Sequence, residues 1–107
     1  MNTMENKILH YLRVHAKGIA NAVSAKQICQ AFDITDRELR QVKRNIVLGI
    51  DARVGSTKDG YWYAENDSEV LRFRSDYVSR IRKYKEMIDA YENEVDLTGQ
   101  MELLEAI

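Results

Sequence analysis

Apolar positions at helical spacing open the chain. Between Glu5 and Ala16, Ile8, Leu9, Leu12 and either Val14 or Ala16 fall near one face, which predicts a first helix closed by Lys17-Gly18. "AKGIANAV" reads as a loop. In "VSAKQICQAF" Ser24 stands three residues before Gln27, a capping-box spacing, and predicts a second helix with Ile28, Cys29, Ala31 and Phe32 on its apolar side. Phe32-Asp33-Ile34 is a tight turn, after which Thr35 and Glu38 repeat the spacing at the head of a third helix, 36–48. At 100° per residue Leu39, Val42, Ile46 and, at the edge, Val47 share one side of it, and Arg37, Arg40, Gln41 and Arg44 the other. Gly49 is the expected stop.

The period then changes from helical to alternating. Ile50, Ala52 and Val54, the turn sequence Gly-Ser-Thr-Lys-Asp-Gly, and Tyr61 and Tyr63 predict a β-hairpin over 50–64. Tyr61 and Tyr63 share one face of the return strand and Trp62 takes the other, and only one face is expected to meet the core. The two tyrosines are assigned to that core. For Trp62 two roles stay open: an outward aromatic meeting nucleic acid or protein, or a cap on the junction with the next helix.

From Asn66 or Asp67 to about Val95 the chain runs without Gly or Pro, a single helix about 40 Å long at 1.5 Å per residue. Tyr77, Ile81, Tyr84, Ile88, Tyr91 and Val95 recur at heptad spacing, with Ile81, Ile88 and Val95 at a and the tyrosines at d, the pattern of a coiled coil. Self-pairing, packing on its own domain and docking on another protein all remain open. The tail 96–107, with Leu97, Met101, Leu104 and Ile107, is expected either to fray or to form a short turn on a partner. The resulting boundaries are 1–64, 65–95 and 96–107.

Composition supports a folded, helix-rich chain: 45% apolar, 31% charged and no proline in 107 residues. No apolar run reaches membrane-spanning length and the start "MNTMENKILHYL" lacks a signal-peptide pattern, so a soluble cytoplasmic protein without membrane partners is expected. The lone Cys29 reads as a small apolar packing residue, and His10 and His15, five apart, do not form a metal pair. No phosphate loop, Ser-His-Asp set or carboxylate cluster is evident, so neither an enzyme nor a cofactor is expected.

The net charge of −1 conceals a division. Residues 1–64 hold ten Lys and Arg against six acids, net +4, whereas 65–107 hold six against eleven, net −5. This is the asymmetry of a basic working part with an acidic appendage. Arg72, Arg74, Arg80, Arg82, Lys83 and Lys85 make the first half of the long helix basic before acids take over at Glu86. That stretch reads as a solvated face, an extension of a DNA contact, or a device setting the register of a helix pair.

Through "AVSAKQICQAFDITDRELRQVKRNI" followed by "DGYWYAE", residues 5–64 resemble small winged helix-turn-helix DNA-binding domains of bacteria and their phages. The whole also resembles phage-encoded proteins that join such a domain to a carboxy-terminal helix. The implied fold is mainly α (α+β): three helices and a β-hairpin wing, followed by a long C-terminal helix. By position, the resemblance implies that Arg37, Arg40, Gln41 and Arg44 face the major groove and that Lys58 at the wing tip approaches phosphate. Arg53, Thr57, Lys26, Gln27 and Thr35 would be secondary phosphate contacts. The chemistry agrees, since guanidinium groups bind guanine O6 and N7 bidentately and Gln pairs with adenine. Asp36 and Glu38 depart from the pattern, because carboxylates in the first turn suit the helix dipole but repel phosphate.

The expected function is sequence-selective binding of double-stranded DNA in transcription or replication, by a homodimer held through residues 70–95. In a replication role the acidic residues 86–105 would recruit a helicase or its loader. The rival expectation is a protein-interaction module that uses the same fold to bind host replication, transcription or defence machinery, a reading favoured by the pI of about 6.1.

Overall fold

A computed structural model describes residues 3–95. The chain divides into two compact units, one ending at Ser75 and a second beginning at Asp76. In order it forms α1 (Met4–His15), α2 (Ala25–Phe32), α3 (Asp36–Gly49), β1 (Val54–Thr57), β2 (Gly60–Tyr63) and α4 (Asp67–Glu94), with a 3₁₀ turn at Ile19–Asn21. Four helices with a two-stranded antiparallel hairpin make a mainly helical α+β fold.

Each of the first three helices begins at a hydroxyl cap. Thr3 Oγ1 accepts from the Asn6 N–H at 3.2 Å, Ser24 Oγ from Gln27 at 3.1 Å, and Thr35 Oγ1 from Glu38 at 3.1 Å. Only the last is a complete capping box, with the Glu38 carboxylate accepting in return from the Thr35 backbone N–H at 3.3 Å. Between α2 and α3 the chain turns at Asp33, whose φ of 52° is the left-handed conformation Asp tolerates better than most residues. The Ile34 N–H closes that turn on the Cys29 carbonyl at 3.1 Å.

Ile8, Leu9 and Leu12 of α1, Ile28 of α2 and Leu39, Val42 and Ile46 of α3 bury their side chains in one cluster. Ala16 completes the α1 stripe, while Val14 points outward at 57% exposure. Of the residues expected on the apolar side of α2, Cys29 and Phe32 are half-buried and Ala31 is exposed. The expected glycine stop is not realised: Gly49 is the last residue of α3 and Ile50 its C-cap, without a left-handed residue. The helix ends because both Ile50 and Asp51 donate their N–H to the Ile46 carbonyl, each at 2.8 Å.

Asp51 takes up the chain at that exit. Its Oδ2 accepts from Arg13 of α1 at 2.7 Å and from the Tyr63 hydroxyl at 2.8 Å, and its Oδ1 from the Arg53 N–H at 2.9 Å. This turn displaces the hairpin from its expected start. Ile50 and Ala52 lie outside any strand and are exposed, and β1 begins only at Val54. Gly55-Ser56-Thr57, expected in the turn, are strand residues paired with Trp62, Tyr61 and Gly60, leaving Lys58-Asp59 as a two-residue loop.

The segment between α1 and α2 is more than a loop. Val23 and Tyr61 exchange backbone hydrogen bonds at 2.9 and 2.8 Å; the Tyr63 N–H donates to Ala16 at 2.7 Å and the Gly18 N–H to Tyr63 at 2.8 Å. The return strand β2 is thus paired on both edges, to β1 and to the α1–α2 connection. Gly60 makes the approach possible. Its φ is +120°, and a Cβ there would lie 2.6 Å from the Val23 carbonyl oxygen.

Both faces of β2 are covered, against the expectation of one. Tyr61 is 7% exposed and Trp62 fully buried. The second cover is the start of α4, which belongs to the first unit, so that unit extends past residue 64. Asn66 Oδ1 caps this helix by accepting from the Glu69 N–H at 3.0 Å. Glu69 in turn accepts from the N–H groups of Glu65 at 2.7 Å and Ile19 at 3.2 Å. One turn on, Phe73 packs on Trp62 with ring centroids 4.3 Å apart. Trp62 therefore caps the junction with α4, and its Nε1–H donates to Thr57 Oγ1 at 3.3 Å. Gly55, opposite Trp62, leaves room for the Phe73 ring: a Cβ there would sit 2.4 Å from Phe73 Cδ1.

In the second unit, residues 76–94 continue α4. Ile81, Tyr84, Met87, Ile88, Tyr91 and Val95 are each at least half exposed, as is Tyr77, over whose ring the Arg80 guanidinium lies at 5.2 Å. The tail 96–107 lies outside the described residues. Among the described residues no helix is long and apolar enough to cross a membrane.

Two stability measurements follow. Gly55→Ala should cost about 1–3 kcal/mol by overpacking and Phe73→Ala about 3–5 kcal/mol by cavity formation. The double variant should cost clearly less than the two combined, because the clash disappears with the ring; additive urea-unfolding values would show that Gly55 and Phe73 are not coupled. At Asp51, burial alone would raise the carboxyl pKa, but hydrogen bonds from Arg13, the Arg53 N–H and Tyr63 outweigh it and hold the carboxyl below its usual value. A folded-state pKa below the unfolded one contributes stability above about pH 4 that is lost as pH falls through the depressed value. Asp51→Ala should cost about 1–3 kcal/mol at neutral pH, and its deficit against the parent should shrink in acid-unfolding curves.

Candidate nucleic-acid interface

The outward side of α3 is set by the burial of its other side. With Leu39 and Ile46 fully buried and Val42 nearly so, Arg37, Arg40, Gln41 and Arg44 are all exposed. The helix is held at both ends, by the Thr35–Glu38 capping box and by the Asp51 turn, and at its middle by Lys43. Lys43 Nζ donates to Ser56 Oγ of β1 at 3.0 Å and lies 5.9 Å from the centroid of the Tyr61 ring. That bond ties the helix to the hairpin, a role nothing in the sequence pattern assigned, because it depends on which strand residue lands beside the helix.

The four side chains of the outward face differ in what they already bind. Arg40 donates to Asp36 one turn earlier, and this hydrogen bond raises the guanidinium pKa further. Gln41 Nε2 donates to Asn45 Oδ1 at 3.0 Å, and Asn45 Nδ2 to Glu5 Oε1 at 3.3 Å, so Gln41 belongs to a short amide chain leading to α1. Among the described residues the ion pairs engage Arg13, Arg40, Arg53 and Lys85, and leave Arg37, Arg44, Lys26 and Lys58 unpaired. Arg37 and Arg44 are thus the guanidinium groups of this face with five donors each open to a ligand.

The secondary residues separate. Lys58 is exposed in the two-residue hairpin loop, and Lys26 is exposed in the first turn of α2. Arg53 donates to Asp67 at 3.1 Å at the head of α4, which takes it into a contact of the domain itself. Thr35 is committed to the capping box, and its hydroxyl also donates to Glu38 Oε1 at 3.0 Å. An anion approaching the α3 amino terminus would meet the Glu38 and Asp36 carboxylates there. Thr57 Oγ1 is engaged by the Asp59 N–H at 3.3 Å and by Trp62, while the Gln27 side chain is exposed.

The remaining candidate chemistry is quiet. The Cys29 thiol is pushed up by partial burial and then by Asp36 and Glu38, which disfavours the thiolate. Burial likewise raises the Tyr61 phenol above its ordinary value. His15 stacks against Tyr11, whose ring meets Phe32 edge-on at 5.5 Å. Among the described residues no group of three or more His, Cys, Asp or Glu is arranged to hold a metal ion.

Compared with family models, curated proteins and solved structures, the chain matches none.

Proposed function

We propose that this chain is a cytoplasmic DNA-binding regulator of transcription or replication, of bacterial or phage type, built as a winged helix-turn-helix domain followed by a long helix. In this reading α3 enters the major groove, Arg37 and Arg44 contact base edges or phosphate, and Lys58 at the wing tip contacts backbone phosphate. The observation that carries it is a rigidly capped helix presenting two unpaired, exposed arginines one side away from the core, tied through Lys43 to a hairpin with a lysine in its turn. The pairing of Val23 and of Ala16–Gly18 with β2 adds support, since it anchors the hairpin to the helices as a wing requires.

A specific observation favours the rival reading, a module that binds another protein. The first turn of α3 carries Asp36 and Glu38, and Asp36 already holds Arg40. On the DNA reading this carboxylate restrains binding, and on the rival reading it is part of the recognition surface.

The two readings diverge in one experiment. Duplex pools of random sequence at two salt concentrations should shift with this protein at low salt, enrich a motif, and lose affinity steeply as salt rises. Arg44→Ala should cost about 1–3 kcal/mol of specific binding. Asp36→Asn should strengthen binding and steepen the log–log salt slope by about one, because it releases Arg40 for phosphate. Absence of a shift at low salt, with no response to either substitution, would overturn the DNA reading in favour of a protein partner.

A further inference from the structure

We propose that residues 77–95 dock on the same segment of a second copy of this chain, with the two helices antiparallel about a two-fold axis at the level of Met87. The inference does not rest on the DNA reading. It starts from the apolar stripe of α4, where Ile81 is 65%, Tyr84 67%, Ile88 53% and Tyr91 69% exposed. A heptad stripe of this kind is stabilised by burial against another helix.

Charge selects the second copy as occupant and sets its direction. Residues 76–85 carry Arg80, Arg82, Lys83 and Lys85 against Asp76, net +3, whereas 86–94 carry Glu86, Asp89, Glu92 and Glu94, net −4. The segment is complementary to itself reversed. With Ile81 and Ile88 at a and Tyr84 and Tyr91 at d, the flanking positions are Arg80, Met87 and Glu94 at g, and Lys85 and Glu92 at e. In a parallel pair each g faces the following e, so Arg80 would oppose Lys85 of the second copy on both sides.

In the antiparallel pair g faces g and e faces e. Arg80 then meets Glu94 of the second copy in two symmetric contacts, Met87 meets Met87 on the axis, and the one like-charged contact is Lys85 with Lys85 near the axis. Lys85 donates to Asp89 in its own helix at 3.3 Å, and that carboxylate offsets the charge of the Lys85 pair.

Layer geometry agrees with the charges. Antiparallel pairing sets a against d, so Ile81 packs on Tyr91 and Tyr84 on Ile88, each layer combining one ring with one branched aliphatic chain. Parallel pairing would stack Tyr on Tyr and Ile on Ile in alternate layers, uneven in volume along a seam of constant helix separation.

Light scattering on the full chain without nucleic acid tests the proposal. The expected mass is twice the 12.4 kDa of one chain, and a monomer or any higher oligomer at all concentrations overturns it. Arg80→Glu should weaken dimerisation about tenfold, and adding Glu94→Arg should restore it. An unchanged or tighter Arg80→Glu dimer overturns the antiparallel direction, since parallel helices would gain an attraction to Lys85. In a Cys29→Ser background, Met87→Cys should give a disulfide-linked dimer on mild oxidation and Tyr84→Cys should not; the reverse result also overturns it. Because the readouts contain no DNA, their failure leaves the α3 interface untouched, and failure of the DNA shift leaves the helix pairing untouched.

Discussion

The first unit is organised by the backbone of β2. Its residues form one ladder with β1, while Tyr61 and Tyr63 pair on the opposite edge with Val23 and with Ala16 and Gly18. A four-residue strand satisfied on both edges is a different object from an isolated hairpin, which is marginal in water. It leaves β2 itself no free edge, and it bridges the α1–α2 connection to the hairpin. Gly60 is the steric condition for this arrangement, because the Val23 carbonyl occupies the space a side chain would need.

Trp62 shows how that constraint propagates. Once β2 is central, both of its faces need cover. Tyr61 turns toward the helices and Lys43, and Trp62 turns to the side that only the first turns of α4 can close. Phe73 reaches that ring across a strand position where Gly55 has no side chain. The long helix therefore begins as part of the core and acquires its heptad stripe only afterwards, which is why the compact unit ends at Ser75 rather than at the end of the hairpin.

The polar side of α3 shows stability and binding drawing on the same residues. Asp36 and Glu38 complement the helix dipole, complete the capping box and, in the case of Asp36, hold Arg40. Each of these contacts orders the helix that would be presented to a ligand, and each adds negative charge beside it. Arg37 and Arg44 stand apart from this arrangement, since none of the ion pairs among the described residues engages them.

By itself the sequence determined what depends on neighbours a few residues apart. The caps at Ser24 and Thr35, the buried triad Leu39, Val42 and Ile46, the outward arginines and the extent of α4 all follow from local spacing, because capping and helical amphipathicity act over three or four residues. Tertiary structure decided what depends on residues far apart. The Asp51 carboxylate ends the turn after α3 through Arg13 and Tyr63, 38 and 12 residues away, and so moves the hairpin from Ile50 to Val54. The same dependence bridged Val23 to Tyr61 and Lys17 to Tyr63, buried Trp62 under Phe73, and left Arg44 open while Arg53 was taken by Asp67. Alternation and charge can nominate such residues, but which partner reaches each one is fixed only when the distant segments meet.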